Sequence, residues 1–235
     1  MPNATENRPA VAVFVHGLWQ GAWVWDEARA ELAERGVDSQ AVELPLTTLA
    51  DDVAALGSVL DRISGEVVLI GHSYGGVVIT AVQRPNLRHL IYLTAYQVDE
   101  GESMAKVFPD LELPPPALGP AIQRDKETGL STLDPAIARD VLYNGVPDDV
   151  ADAALARLRP SALGLFRESP ATVAWRTVPS TYVVCAEDRA LVAPLQRAMA
   201  ARASATLEWP VGHSPAAACP RDIADLVELR AHLTR

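Results

Sequence analysis

The chain has 235 residues, 49% hydrophobic and 21% charged, which suffices for the core of one α/β domain carrying an insertion and does not fit disorder. Thirty acidic against twenty basic residues leave a formal net charge of −10, which argues against nucleic acid as a partner and against a strongly anionic substrate. No stretch reaches the roughly 18 uninterrupted apolar residues of a membrane helix, and two cysteines, Cys185 and Cys219, are too few for a disulfide framework, so the cytoplasm is the expected location.

Residues 1–9 hold no apolar signal core and read as a short disordered lead. Ala10 to Val15 is a short apolar run suited to a buried strand. A helix is expected from near Trp23 to Arg35, stopped by Gly36; then a strand from Val37 to Leu44, closed by Pro45. Val53, Leu56, Val59, Leu60 and Ile63 recur at helical spacing over 51–63. Val67 to Ile70 is a further buried strand, followed by a helix that stops before Pro85 and a strand over His89 to Thr94.

This alternation implies a parallel sheet with helices on both faces. It stops near residue 98. Residues 113–120 are proline-rich loop, and Asp134-Pro135 and Pro147-Asp148-Asp149 resemble helix starts. Residues 99–175 are therefore expected to form an inserted, mostly helical cap, with 10–98 and 176–235 forming the core. The sheet pattern returns at Ser180 to Cys185; a helix opens at Pro194, a last strand covers Ala205 to Trp209, and a closing helix from near Pro220 carries Ile223, Leu226, Val227, Leu229 and Leu233.

The chemistry centres on Gly71-His72-Ser73-Tyr74-Gly75, set between the buried strand and its helix. That placement makes it a nucleophile elbow, a tight turn that lifts the Ser73 hydroxyl out of the sheet. Gly71 and Gly75 are required where the backbone folds back on itself. A serine hydroxyl needs a base. Of five histidines, His213 follows a strand and sits in a Gly-flanked loop; His16 lies in a turn, His72 inside the elbow with its ring directed away from Ser73, His89 in a strand and His232 near the end. Asp188, after the Tyr182 to Cys185 strand, is the carboxylate expected to orient the imidazole, with Glu187 and Asp99 as rivals. The backbone N–H groups of Leu18 and Tyr74 are the expected oxyanion donors. Trp19 and Tyr143 are expected at the substrate pocket, Trp23 and Trp25 in the core, and the two cysteines as small buried hydrophobes.

Together His16-Gly17-Leu18-Trp19-Gln20-Gly21-Ala22-Trp23-Val24-Trp25, Gly71 to Gly76, Cys185 to Arg189 with Gln196-Arg197, and Gly212-His213-Ser214-Pro215 resemble the α/β-hydrolases related to plant methyl esterases and hydroxynitrile lyases, in particular the bacterial esterase-like members. The resemblance spans both ends of the chain and covers 99–175 weakly. It implies an α/β-hydrolase fold, a Ser73–Asp188–His213 triad, Leu18 and Tyr74 as oxyanion donors, and neither metal nor organic cofactor. Lyase members carry threonine at the position of Gly17 and lysine at that of Ser214, so hydrolysis of a small, largely apolar ester through an acyl-enzyme is the expected activity. Cyanohydrin cleavage, a biosynthetic hydrolase or cyclase acting on a bulkier natural product, and a binding module remain as rivals. The expected partner is a small-molecule ester; the oligomeric state is open, a homodimer included.

Overall fold

The computed structural model describes residues 10–115 and 117–232, so the lead over 1–9 and Leu233 lie outside the described residues. In the first half, β1 (Val11–Val15), α1 (Asp26–Glu34), β2 (Ser39–Val42), α2 (Leu49–Leu60), β3 (Val67–Ser73), α3 (Gly75–Thr80) and β4 (Leu87–Ala95) alternate as expected. A short 3₁₀ turn, Ala22–Trp25, precedes α1. Helix α2 begins two residues before the expected start because the Thr48 side chain accepts a hydrogen bond from the Asp51 amide and caps it.

Residues 99–175 hold β5 (Ile122–Arg124), β6 (Leu130–Leu133), α4 (Pro135–Leu142), α5 (Asp148–Leu155) and β7 (Ser161–Ala162). The two helices lie where the proline and acidic signals put them. The three-stranded antiparallel sheet β5-β6-β7 is a correction to the mostly helical reading. Its central strand buries Ser131 beside Leu133 and exposes Leu130, so the alternation that marks a half-buried strand is disguised by a polar residue facing inward.

The remaining elements are β8 (Ser180–Cys185), α6 (Ala193–Ala200), β9 (Ala205–Trp209), α7 (Pro215–Ala218) and α8 (Pro220–His232). The main sheet has six parallel strands in the order β2-β1-β3-β4-β8-β9. Side chains alternate across it, and both faces are apolar: Val13, Leu69 and Tyr92 pack on one side, Phe14, Ile70 and Ile91 on the other. Each such side chain, fully buried, contributes roughly 1.5–3 kcal/mol. Among the described residues no helix is long and apolar enough to cross a membrane.

The chain crosses from β1 to β2 on one side and returns to β3 on the other, so the segments leaving β1 and β3 diverge at the carboxyl edge of the sheet. In open parallel sheets that divergence is where ligands bind.

Candidate active site

Every residue expected to do chemistry lies at or just beyond that carboxyl edge. Ser73 ends β3 with φ of 52°, a left-handed conformation costly for a residue with a side chain. The turn is possible because its flanks are glycines: a Cβ at Gly71 would come within 2.7 Å of the Gly75 carbonyl oxygen, and one at Gly75 would collide with the Val15 carbonyl. Two other residues at this edge share the strain, Trp19 (φ 60°) and Thr94 (φ 39°).

Asp188 and His213 meet there. His213 Nδ1–H donates to Asp188 Oδ2 at 2.7 Å, with both residues buried. The carboxylate is held from all sides. Its Oδ1 accepts the Ala190 and Leu191 amides at 2.7 and 2.8 Å, and Oδ2 also accepts the Thr94 hydroxyl and, at 3.3 Å, the Gln196 amide nitrogen. Neither rival carboxylate makes this contact: Glu187 is exposed, and Asp99 is paired with Arg176 at 2.6 Å. The Ser73 hydroxyl makes no hydrogen bond among the described residues, to His213 or otherwise; such bonds are often long without substrate and tighten once it binds.

His72, inside the elbow, is not idle. Its Nε2–H donates to the main-chain carbonyl of His213 at 2.7 Å, and the two rings lie 4.8 Å apart. Complete burial holds His72 well below its ordinary pKa, with the neighbouring His213 adding to the effect. A neutral imidazole has one N–H, and the His213 carbonyl takes it. Gln20 Oε1 stands 3.1 Å from Nδ1, and a half-turn of the carboxamide presents its NH₂ group to that lone pair as the donor a neutral ring requires.

The amides of Leu18 and Tyr74 are not taken up by hydrogen bonds among the described residues. His16 sets the direction of the first. Its Nδ1–H donates to the Gly17 carbonyl at 2.8 Å, while Nε2 accepts the Leu44 amide at 3.0 Å. In a trans peptide the carbonyl and the following N–H point opposite ways, so holding the Gly17 oxygen aims the Leu18 N–H away from His16. Burial lowers the His16 pKa to about 4 and keeps the ring in the neutral form this arrangement needs. The Tyr74 side chain leaves the site altogether; its hydroxyl donates to Asp52 Oδ2 at 2.6 Å inside the core.

The pocket residues separate. Tyr143 lines a cavity of about 380 Å³ beside the His213 loop, together with Gln20, His72 and Ser214. Trp19 does not line it. Its indole N–H donates to Ser131 Oγ at 3.1 Å and its amide to Ser161 Oγ at 2.8 Å, joining the β1 loop to the three-stranded sheet. Trp23, expected in the core, lines the cavity instead, with the Arg157 guanidinium 4.5 Å over its ring. Trp25 is fully buried against Phe14 as expected. Cys185 is buried, and burial raises the Cys219 thiol to about 11.

Thr94, Gln196, His72 and Gln20 had no assigned part in the site before the fold placed them. The short strand–loop distances that bring them to Asp188 and His213 carry no motif of their own.

A model of the alpha/beta hydrolase family matches residues 12–226. Alpha/beta hydrolase nvfD of Aspergillus novofumigatus is 32% identical over 194 residues, covering 75% of each chain. A carbendazim-hydrolysing esterase of Nocardioides is 33% identical over 177 residues, 66% of this chain and 70% of that one. A pyrethroid hydrolase of Sphingobium faniae superposes with a TM-score of 0.82 at 21% identity, over 94% of this chain and 97% of the other, a likeness that shows the fold. Because the family match runs from the first strand of the sheet into the last helix and is not confined to the serine motif, this chain belongs to the alpha/beta hydrolase family.

Proposed function

We propose that the chain hydrolyses small, neutral carboxylic esters through an acyl-enzyme on Ser73. The observation that carries this reading is the buried Asp188–His213 hydrogen bond at 2.7 Å, facing the same sheet edge as a serine held at φ 52°. The esterase name of the Nocardioides relative supports the same chemistry.

Ser73 Oγ attacks the ester carbonyl while His213 Nε2 takes its proton. Asp188 accepts Nδ1–H, which fixes the tautomer and stabilises the imidazolium that forms. The Leu18 and Tyr74 amides receive the developing oxyanion; losing one such donor typically costs about 3–4 kcal/mol of transition-state stabilisation. His213 returns the proton to the departing alcohol, and water repeats the sequence to release the acid. Residues 99–175 cap this edge, tied to the β1 loop through Trp19. The formal charge of −10 disfavours anionic substrates, and the two free thiols fit a reducing compartment such as the cytoplasm.

A panel of p-nitrophenyl esters of rising acyl length, run on wild type and Ser73→Ala, tests the reading. Short esters are expected to turn over, and kcat in the mutant is expected to fall by roughly 10⁴ or more. Equal rates in the two proteins would remove the serine mechanism.

A further inference from the structure

The loop after β1 carries one of the two proposed oxyanion donors, and its shape is not self-supporting. Trp19, the residue after Leu18, holds φ at 60°, a conformation costly for a bulky side chain and kept only where the surroundings enforce it. The enforcing groups come from the inserted segment. Ser161 Oγ accepts the Trp19 amide at 2.8 Å. The Arg159 amide donates to the Trp19 carbonyl at 2.8 Å, and the Arg159 Nε–H donates to the Gln20 carbonyl at 2.7 Å. At the other end of the guanidinium, Nη2 donates to the Leu44 carbonyl at 2.6 Å and pairs with Glu43 at 2.5 Å. Glu43 in turn accepts the Ala22 amide at 2.8 Å. The successive peptides Leu18–Trp19, Trp19–Gln20 and Gln20–Gly21 are thus each held by Arg159 or Ser161.

The sequence explains why these two residues act together. Pro160 between them has no N–H and confines Arg159 to extended backbone, so the two grips are spaced along a straight segment. Ser161 is fully buried, and its carbonyl accepts the Ser131 hydroxyl at 3.0 Å, which itself accepts the Trp19 indole. On the far side of Leu18, His16 holds the Gly17 carbonyl. That single bond leaves the Gly17–Leu18 peptide plane free to rock about it. Anchoring the next plane through the Trp19 amide removes the freedom, since only the φ and ψ of Leu18 separate the two planes.

We infer that Arg159 and Ser161 are positioning residues for the oxyanion donor: by gripping the Trp19 and Gln20 peptides they keep the Leu18 N–H aimed where charge develops on the ester oxygen. The inference rests on the esterase reading above. A donor fixed in direction before the reaction stabilises that charge without reorganising. Residues 99–175 thereby serve the chemistry as a brace as well as a cover.

Arg159→Ala and Ser161→Ala each remove part of the grip. With p-nitrophenyl acetate, kcat is expected to fall about tenfold in each, with KM within about twofold of wild type. Ser161→Thr keeps the acceptor and is expected to restore kcat to within about threefold of wild type. Should Ser161→Ala fail to fold, Arg159→Ala still decides, because its side chain is 33% exposed.

The hemiketal formed with propyl trifluoromethyl ketone reads the donor itself. Ser73 Oγ bonds to the ketone carbon, the carbonyl π pair moves onto its oxygen, and His213 Nε2 takes the hydroxyl proton. That oxygen then occupies the oxyanion position, and fluorine NMR follows its titration. Its apparent pKa is expected to rise by about one pH unit in Arg159→Ala, the tenfold loss expressed as proton affinity. Wild-type kcat in the folded alanine variants overturns the positioning role alone, as does a fall in kcat with the hemiketal pKa unmoved. Absence of p-nitrophenyl acetate turnover in wild type, or its survival in Ser73→Ala, removes the esterase reading first and this inference with it.

Discussion

The imidazole of His72 donates its only N–H to the main-chain carbonyl of His213, 2.7 Å away, so the residue beside the nucleophile holds the loop that carries the proposed base. One ring thereby links β3 to the segment after β9. The bond is buried, and breaking it leaves a carbonyl without a partner, at about 1–3 kcal/mol. His72→Phe keeps the ring volume and loses the donor. Its kcat is expected to fall about tenfold with KM changed less, and His72→Gln, which restores an N–H, should recover part of the loss. Steady-state kinetics on the three proteins decide it; wild-type kcat in His72→Phe would deny the positioning role.

Gly17 is where a small change should reach the nucleophile. An added methyl would press on Ser73 Cβ, His72 Nδ1 and Gln20 Oε1 at 3.0–3.3 Å, closer than most Cβ contacts. Overpacking of this kind costs roughly 1–3 kcal/mol. Gly17→Ala is expected to lower kcat/KM on short p-nitrophenyl esters by about tenfold or more, with a smaller loss in denaturant midpoint. A variant as active as wild type would show that the loop yields freely.

Acid should weaken the fold before it protonates most carboxylates. Burial lowers His16 and His89 to about 4 and holds His72 well below its usual value, so all three stay neutral in the folded chain. The unfolded chain takes up those protons near pH 6.5, so stability is expected to fall as pH drops from about 6.5 towards 4. For His16 and His89 the loss is on the order of 3 kcal/mol apiece at most, by about 1.4 kcal/mol per pKa unit. Urea midpoints at pH 7, 6 and 5 measure it, and a level profile contradicts the buried neutral rings.

Asp52 is a core carboxylate with two defined duties. Its Oδ1 accepts the Leu46 amide at 2.8 Å and its Oδ2 the Tyr74 hydroxyl at 2.6 Å, while burial raises its pKa. Asp52→Ala strands both donors and should destabilise by about 1–3 kcal/mol per group. Asp52→Asn keeps one acceptor and should lose less. Thermal or denaturant melts of the pair give the comparison, and equal stability of Asp52→Ala and wild type would rule out the bonds as drawn.

Much of this molecule was legible from local pattern. The apolar runs at Val11, Val67, His89 and Tyr182 are continuous because a parallel sheet covered on both faces needs no polar side, and each became an inner strand, whereas Ala205–Trp209, with Thr206 and Glu208, is the largely exposed edge strand. Asp134-Pro135 and Pro147-Asp148 marked helices α4 and α5 because capping chemistry is confined to one turn. The Gly-x-Ser-x-Gly elbow was readable for the same reason: its glycines answer a clash within five residues.

The rest depended on distances that no local pattern encodes. The antiparallel strands of 99–175 were missed because Ser131 faces inward, where its hydroxyl accepts from the Trp19 indole, 112 residues earlier, and donates to the Ser161 carbonyl. Trp23 went to the cavity wall and Trp19 to a buried joint, the reverse of the expectation, since a tryptophan's apolar body suits either place and only packing chooses. The choice of Asp188 over adjacent Glu187 needed the Ala190 and Leu191 amides, which close around one carboxylate and leave the other in solvent. The types of residue that do chemistry were therefore set by the chain's own order. Which atoms meet was decided by the tertiary path of the chain: β9 lies beyond β4 and β8 from β3, and only the segment that follows it, running back to the end of β3, brings His213 within hydrogen-bond reach of His72, some 140 residues earlier.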